Sequence, residues 1–310
     1  MTAQRLLVEV LIRLYVANTD PTWFDFLSRQ PPLDEVNHWQ PGGKQQFSAL
    51  MPGELFVFRL RSPINRIAGF GVFARAALLP LQLAWSSFEQ KNGQPDFEAF
   101  RAAIFRLNPN NQGTIGYRIL TQPVFFPREH WFAPPEDWPI NTVGGKRYST
   151  DTIEGMHLWE GLTSRAALPI AKGFSEPKPM FGEPMLVRPR LGQGGFRVSV
   201  IQAYERRCVV TGEKTLPALE AAHILSVKDK GTHETSNGLL LRRDLHALFD
   251  QHYLTITPDK TLIVSKRIRE EFENGREYYA LHGRRVRDPS SIEDFPSVDA
   301  LRRHNDLFVE

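Results

Sequence analysis

The segment that most constrains this chain covers residues 204–254 and reads YERRCVVTGEKTLPALEAAHILSVKDKGTHETSNGLLLRRDLHALFDQHYL. It places His223, Asn237 and His246 in this order along a predicted strand, loop, strand and short helix. Residues 219–225 form an apolar run that we expect to pair with the β-prone run at 208–210. A polar loop rich in turn formers follows at 227–238, and the three leucines at 239–241 are predicted to be buried.

The predicted helix reads DLHALFD and has Asp244 as its expected N-cap. His246 and Asp250 are four residues apart on this helix, so they share one face. An imidazole and a carboxylate on one helical face are half of a metal site, as in other helical metal motifs.

These residue types suit the hydrolysis of a phosphodiester. The reaction needs a nucleophilic water, a positive charge that offsets the developing charge on the phosphate, and help for the leaving oxygen. A histidine with a pKa near neutrality can take the proton from water. A divalent cation can supply the charge and bind the leaving oxygen, while an amide side chain can hold the loop that orients the histidine.

With the motifs EAAHI, NGLLLR and DLHALFD, residues 196–263 resemble the HNH endonuclease family. The resemblance implies a ββα-metal fold and cleavage with one divalent metal ion, Mg²⁺ or Mn²⁺. It also implies His223 as the general base, Asn237 as the structural asparagine of the motif, and His246 and Asp250 as metal ligands.

Two positions depart from the family pattern. Many members carry an Asp or His ligand directly before the general base, where this chain has Ala222. Glu220 lies two residues earlier on the same strand face and is our candidate replacement ligand. Many members also hold a structural zinc with four cysteines, but Cys208 is the single cysteine of this chain and excludes such a site. We expect it to be a small buried residue.

Each candidate also has a structural interpretation. His223 alone would more often be a buried core histidine, and only its combination with the other motif residues favours a catalytic role. Asp250 could be a surface carboxylate of its helix and Glu220 a structural carboxylate. His233 and His252 are interpreted as solvent-facing residues or as supports of the site.

Composition divides the chain into three parts. Residues 1–150 are predicted as a DNA-reading domain, 151–195 as a linker and 196–310 as the nuclease domain. The linker prediction rests on five prolines and five glycines among residues 166–195. A single cysteine fits a reducing compartment, and no apolar run is long enough for a signal peptide or a membrane span. We therefore expect a cytoplasmic protein.

Bulk charge does not predict DNA binding. The whole chain has a net charge of +3, and residues 196–310 contain 18 Lys and Arg against 18 Asp and Glu. Contacts to the phosphate backbone would have to come from local basic clusters, although any one of these clusters could equally be a solvated surface. The candidates for DNA-backbone contact are Arg206, Arg207, Arg242 and Arg243.

The N-terminal part is dense in aromatic residues and in β-prone runs, at 46–50, 55–60, 67–73 and 124–126. A helix is predicted within the first twenty residues and another over 96–105. With glycines at the ends of the runs, this mixture predicts a small, strongly bent β-barrel with packed helices. The fold class is therefore α+β, with a barrel followed by the nuclease fold.

The phrases VNHWQPGG, LMPGELFVFRL and INRIAGFGVF resemble the PUA-like superfamily, which includes EVE and SRA modules, over residues 36–148. The resemblance implies a pocket for a flipped, modified base, which needs aromatic faces and hydrogen bonds to its edge. Our pocket candidates are Trp39, Trp85 and a turn at 145–148 that contributes Lys146 and Tyr148. The alternative is that these aromatic rings fill the core.

Together the two parts resemble a modification-dependent restriction endonuclease that acts on double-stranded DNA with methylated or hydroxymethylated cytosine. Cutting both strands would need a homodimer, or two molecules that meet on one DNA. Two alternatives stay open. The first is an HNH nuclease for another target, namely phosphorothioate DNA, an unmodified sequence or RNA. The second is a non-catalytic nucleic-acid-binding protein whose metal site has decayed at Ala222.

Overall fold

The computed structural model describes residues 11–42, 47–139, 141–166 and 191–310. The chain divides into two compact units, Met1–Arg190 and Leu191–Glu310, and both contain helices and sheets. The α+β class predicted from the sequence is therefore confirmed. The segment predicted as a linker over 151–195 contains a helix, Ile153–Ala166, and residues 167–190 of it lie outside the described residues.

The first unit contains a mixed sheet of six strands in the described residues. Its elements are β1 (Arg13–Thr19), α1 (Pro21–Ser28), β2 (Glu35–Asn37), β3 (Leu55–Leu60), β4 (Arg66–Pro80), α2 (Leu81–Phe88), α3 (Phe97–Leu107), β5 (Thr114–Phe125), β6 (Gly145–Ser149) and α4 (Ile153–Ala166). The strand order is β2-β5-β4-β3-β1-β6. Only the β1–β3 pair is parallel, and the other neighbours are antiparallel.

The long strands of this sheet are strongly curled. The register of β4 shifts against β3 and β5 at three places, as expected for bulges, which bend a strand and increase its twist. The curl brings the ring of His38, directly after β2, within 3.3 Å of the Thr19 hydroxyl at the end of β1. Helix α1 packs Trp23, Phe24 and Leu27 into the concave side.

The sequence predicts a small, strongly bent β-barrel, and the structure does not confirm a barrel, because its sheet is not closed. In the part of the chain that is described, β2 and β6 are the two edge strands and do not pair with each other. Aromatic side chains of β3 and their neighbours fill the concave side, while α4 covers the other face with Leu158 and Leu162.

The N-terminal helix predicted through Tyr15 is wrong where the chain is described, because Arg13–Thr19 is a strand. Its helical spacing of apolar residues is outweighed by pairing on both sides, with β3 and with β6. The predicted run at 46–50 is not a strand over its described residues, 47–50. The runs at 55–60 and 67–73 and the helix over 96–105 are confirmed by β3, β4 and α3.

The second unit starts with a buried helix and continues through two small antiparallel sheets. Its elements are α5 (Gln193–Ala203), β7 (Leu219–His223), β8 (Gly238–Arg242), α6 (Arg243–Asp250), β9 (Leu254–Ile256), β10 (Leu262–Val264), α7 (Arg267–Phe272), α8 (Arg276–Tyr279) and α9 (Val298–Asn305). Strand β7 pairs with β8, and β9 pairs with β10. The order β7, β8, α6 is the predicted ββα arrangement.

Two local predictions in this unit are corrected. The run at 208–210 is not a strand, and β7 pairs instead with the leucines of β8, Ala222 opposite Leu239 and Glu220 opposite Leu241. The N-cap of α6 is Arg242 rather than Asp244. Asp244 lies in the first turn of α6, where the helix dipole favours a carboxylate. It also forms an ion pair with Arg242.

Among the described residues, no helix is both long enough and apolar enough to cross a membrane.

Replacing Gly69 in β4 by alanine should destabilise the first unit. The added Cβ would lie 2.1 Å from the carbonyl oxygen of Val124 and 3.2 Å from the ring of Phe58, so two paired strands would have to separate. We expect a loss of about 1–3 kcal/mol, measured by calorimetry as a fall of roughly 3–10 °C in one melting transition. The control is Gly42→Ala, whose Cβ meets nothing within 4 Å. Equal melting of the two variants would contradict the prediction.

Candidate active site

The antiparallel pair of β7 and β8 brings the motif residues together. His223, the last residue of β7, lies opposite Gly238, the first residue of β8. Helix α6 begins directly after β8 and turns His246 back towards Glu220 on β7, at 2.9 Å between Nδ1 and Oε2. Residues separated by more than twenty positions in the sequence are thus in contact.

Two rings hold the imidazole of His223 in place. Phe196 of α5 stacks on it, with centroids 3.9 Å apart and planes at 11°, and His233 lies 3.1 Å away, measured from its Nδ1 to Nε2 of His223. Gly238 leaves space for this stack, since a Cβ there would lie 2.3 Å from Val200 and 2.9 Å from Phe196.

Burial, together with the nearby imidazoles of His233 and His246, lowers the pKa of His223 to about 4. The ring is therefore neutral at physiological pH and has a lone pair that can accept a proton. This is the protonation state that a general base needs before the reaction, and a pKa of about 4 makes the ring a weaker base than the near-neutral pKa expected from the sequence.

The second part of the site is a row of Glu220, His246 and Asp250. Glu220 contacts Nδ1 of His246, and Asp250 contacts its Nε2 at 3.2 Å. Burial disfavours the charged imidazole, but the hydrogen bonds to Asp250 and Glu220 outweigh this effect and raise the pKa of His246. Arg243 binds the other oxygen of Glu220 at 3.0 Å.

The donor chemistry of this row fits a divalent cation, because carboxylate oxygens and imidazole nitrogens are common ligands of such ions. Among the described residues, however, no three acidic, His or Cys side chains surround a common point where an ion could sit. Each carboxylate faces a different nitrogen of His246, and both oxygens of Glu220 are already engaged. Binding a metal here would therefore replace at least one of these contacts.

Asn237 closes the loop between the two strands. Its Oδ1 accepts a hydrogen bond from the backbone N–H of Leu225 at 3.0 Å, and its Nδ2 donates to the carbonyls of Leu225 and Thr232, both at 2.9 Å. The side chain is buried and fully used in this way. It fixes the shape of the loop that carries His233.

The other residues of this unit that the sequence singled out, Ala222, Cys208 and His252, are buried or packed against neighbouring rings. Ala222 and Cys208 are both completely buried, the latter as a free thiol. His252 packs against His304 with ring centroids 4.9 Å apart, and His304 in turn stacks on Phe249.

The predicted DNA-backbone residues fall into two pairs. Arg242 and Arg243 form ion pairs with Asp244 and Glu220, the latter a residue of the site itself. Arg206 is exposed, and Arg207 is partly buried. A phosphate near the site would therefore compete with these carboxylates for Arg242 and Arg243.

The contacts that α5 contributes to the site are not predictable from the motif residues. Phe196, at the start of the region that resembles the HNH family, stacks on His223. The neighbouring Arg197 is partly buried, and this burial lowers its pKa, an effect that the nearby carboxylate of Glu220 offsets only in part. Helix α5 precedes the motif, and only its approach to β7 and β8 reveals these contacts.

In the first unit, the four predicted base-pocket residues form two separate pairs. Trp39 and Trp85 both pack on Phe100 of α3, with ring centroids 5.6 and 5.7 Å from it. Trp39 also donates from its indole N–H to the carbonyl of Asn92. Trp39 follows edge strand β2, whereas the second pair lies on the opposite edge strand, β6.

That second pair, Lys146 and Tyr148, lies in a strand rather than in the predicted turn. Both residues bind Asp137, the tyrosine hydroxyl donating to its carboxylate at 2.9 Å and the ammonium forming an ion pair. Burial and this hydrogen bond raise the pKa of Tyr148 well above its usual range. Together with Arg13 and Glu54, these side chains line a cavity of about 570 Å³.

Residues 208–257 match the family model of the HNH endonucleases. This match covers β7, β8 and α6 with all the motif residues, so the second unit contains an HNH endonuclease domain. The match is confined to these residues and does not extend into the first unit.

Two solved structures show weak similarity. A mutant of ZmASCH from Zymomonas mobilis is 10% identical, with a TM-score of 0.33 over 48% of this chain and 97% of that one. TagI, described as a modification-dependent restriction endonuclease, is 13% identical, with a TM-score of 0.26 over 91% of this chain and 78% of that one. Among the curated proteins there is no match.

Replacing Asn237 by aspartate should loosen the loop of the site. The variant has almost the same shape, but it loses the two N–H groups that bind the carbonyls of Leu225 and Thr232 and places a negative charge against them. We expect a loss of roughly 2–4 kcal/mol in the second unit, together with faster hydrogen exchange over 224–236. The control is Asn305→Asp, because Asn305 accepts from Thr255 through Oδ1 and aspartate retains that role. Unchanged exchange in Asn237→Asp would refute the assignment.

Proposed function

We propose that this protein is a modification-dependent DNA endonuclease. The observation that carries the proposal is a neutral His223 held next to the carboxylate and imidazole row of an HNH domain. The first unit would select the DNA through a modified cytosine, and the second would hydrolyse the phosphodiester.

In the proposed reaction, His223 takes a proton from the attacking water. Stacking on Phe196 restricts the tilt of its ring, and the loop held by Asn237 keeps the neighbouring side chains in place. Partial burial keeps the imidazole neutral until the proton transfers. A proton acceptor of fixed orientation lowers the barrier because it needs no rearrangement during the reaction.

A divalent cation, Mg²⁺ or Mn²⁺, would be held by His246 and Asp250, with Glu220 as the candidate third ligand. When bound, it would supply positive charge to the phosphate and to the leaving oxygen. Arg243, the ion-pair partner of Glu220, would be free to contact a phosphate once the carboxylate turns to the cation. A cation at this site would thus replace the contact between Glu220 and Arg243, one of the contacts that already occupy the row of Glu220, His246 and Asp250.

For base reading we propose the cavity around Lys146 and Tyr148. Its volume of about 570 Å³ lies within the usual range of small-ligand sites. Asp137, Lys146 and Tyr148 offer hydrogen-bond donors and acceptors side by side, which suits the edge of a flipped base. Trp39 and Trp85 are outside the lining of this cavity and support the packing of α3 instead.

Replacing His223 by alanine should abolish DNA cutting. Loss of a general base reduces turnover by about 100-fold or more, measured as nicking and linearisation of a plasmid with Mg²⁺ or Mn²⁺. His157→Ala is the matched control, since His157 is an exposed residue of α4. Equal cutting by both variants would remove His223 from the reaction. Absence of cutting by the unaltered protein on DNA, phosphorothioate DNA and RNA would favour the non-catalytic alternative.

The reader proposal predicts selective cutting of matched plasmids. Plasmid with methylated or hydroxymethylated cytosine should be cut at least about tenfold faster than unmodified plasmid, because binding through the pocket raises the local concentration of substrate. Lys146→Met should remove most of this difference without changing cutting of the unmodified plasmid. The control is Lys91→Met, a lysine of the same unit that pairs with Asp34 and does not line the cavity. Equal cutting of all plasmids would support the nuclease activity but contradict the proposal that the first unit recognises a modified base.

A further inference from the structure

The contact between His223 and His233 goes beyond what the HNH motif assigns. Nε2 of His223 and Nδ1 of His233 are 3.1 Å apart, and the two rings meet edge to face at 63°. His233 is only partly buried and lies on the loop between β7 and β8, ten residues after its partner. Nothing in the motif order predicts this pair.

A hydrogen bond between two neutral imidazoles has two possible directions. If His233 donates, Nε2 of His223 is its acceptor and Nδ1 of His223 carries the ring proton. Both nitrogens of His223 are then occupied, and the ring cannot act as a base. If His223 donates from Nε2–H, its Nδ1 keeps a free lone pair for the proton of water. Only the second direction is compatible with catalysis.

We propose that His233 is a positioning residue for the nuclease, and this inference rests on the proposed function. It accepts the hydrogen bond from Nε2–H of His223 and so selects the tautomer with a basic Nδ1. After proton transfer the same bond becomes charge-assisted, because the imidazolium of His223 then donates to a neutral nitrogen. His233 thereby also stabilises the charged form that the reaction produces.

The loop is built to hold His233 in this position. Asn237 donates to the carbonyl of Thr232, the residue directly before His233. The ring of Phe196 packs near both histidine rings, with its centroid 3.9 Å from that of His223 and 5.8 Å from that of His233. The motif asparagine and the aromatic ring of α5 therefore fix the acceptor as well as the base.

The activity test compares two replacements of His233. Leucine keeps similar bulk but has no acceptor, and we expect it to lower kcat by roughly 10- to 100-fold with little change in KM. Asparagine can place Oδ1 close to the former Nδ1, and we expect it to restore most of kcat. Melting temperatures show whether both variants fold. A full kcat in His233→Leu, or an equal loss in both variants at equal stability, would overturn the proposal.

A second measurement does not depend on cutting. Long-range ¹H–¹⁵N correlation spectra identify which nitrogen of His223 carries the proton. We expect Nε2–H in the unaltered protein and in His233→Asn, and a mixture of tautomers in His233→Leu. Nδ1–H in the unaltered protein would refute the inference even if the enzyme cuts DNA. If the spectra show Nε2–H but the protein cuts no nucleic acid, the hydrogen bond to His233 is supported and the proposed nuclease function fails.

Discussion

The site depends on the pairing of β7 with β8. This register places His223 opposite Gly238 and Glu220 opposite Leu241, and a shift by one residue would turn every side chain of β7 to the other face. The leucines of β8 are completely buried and hold the register through the core. Apolar burial against α5 and α6 ties the two short strands together, in a chain whose single cysteine cannot form an internal disulfide or a four-cysteine zinc site.

The same small sheet combines two electrostatic environments. His223 is kept neutral by partial burial and by other imidazoles, whereas the pKa of His246 is raised by the two carboxylates that face it. A neutral base and a negatively charged ligand row are the two parts that metal-assisted hydrolysis requires. The two environments differ because both carboxylates contact His246. Glu220 lies three residues before His223 on β7, and Asp250 lies one turn after His246 on α6.

The first unit shows how a pattern of aromatic residues can be interpreted in two ways. Density of aromatic rings was the signal for a base pocket, yet Trp39 and Trp85 pack on Phe100 and a cavity forms around Lys146 and Tyr148 at the other edge. Composition cannot separate a ring that fills a core from a ring that faces a ligand. The curl of the sheet decides which rings are enclosed, and it depends on bulges in β4 that no short motif encodes.

The sequence by itself determined the HNH motif, its residue order, the helix that carries His246 and Asp250, and the α+β class. These features are local, since a motif and a helical spacing of four are visible within a few residues. Only the tertiary structure decided that β7 pairs with β8, that Phe196 stacks on His223, and that His233 is its hydrogen-bond partner. Each of these contacts joins residues ten or more positions apart, and packing of the whole unit selects them.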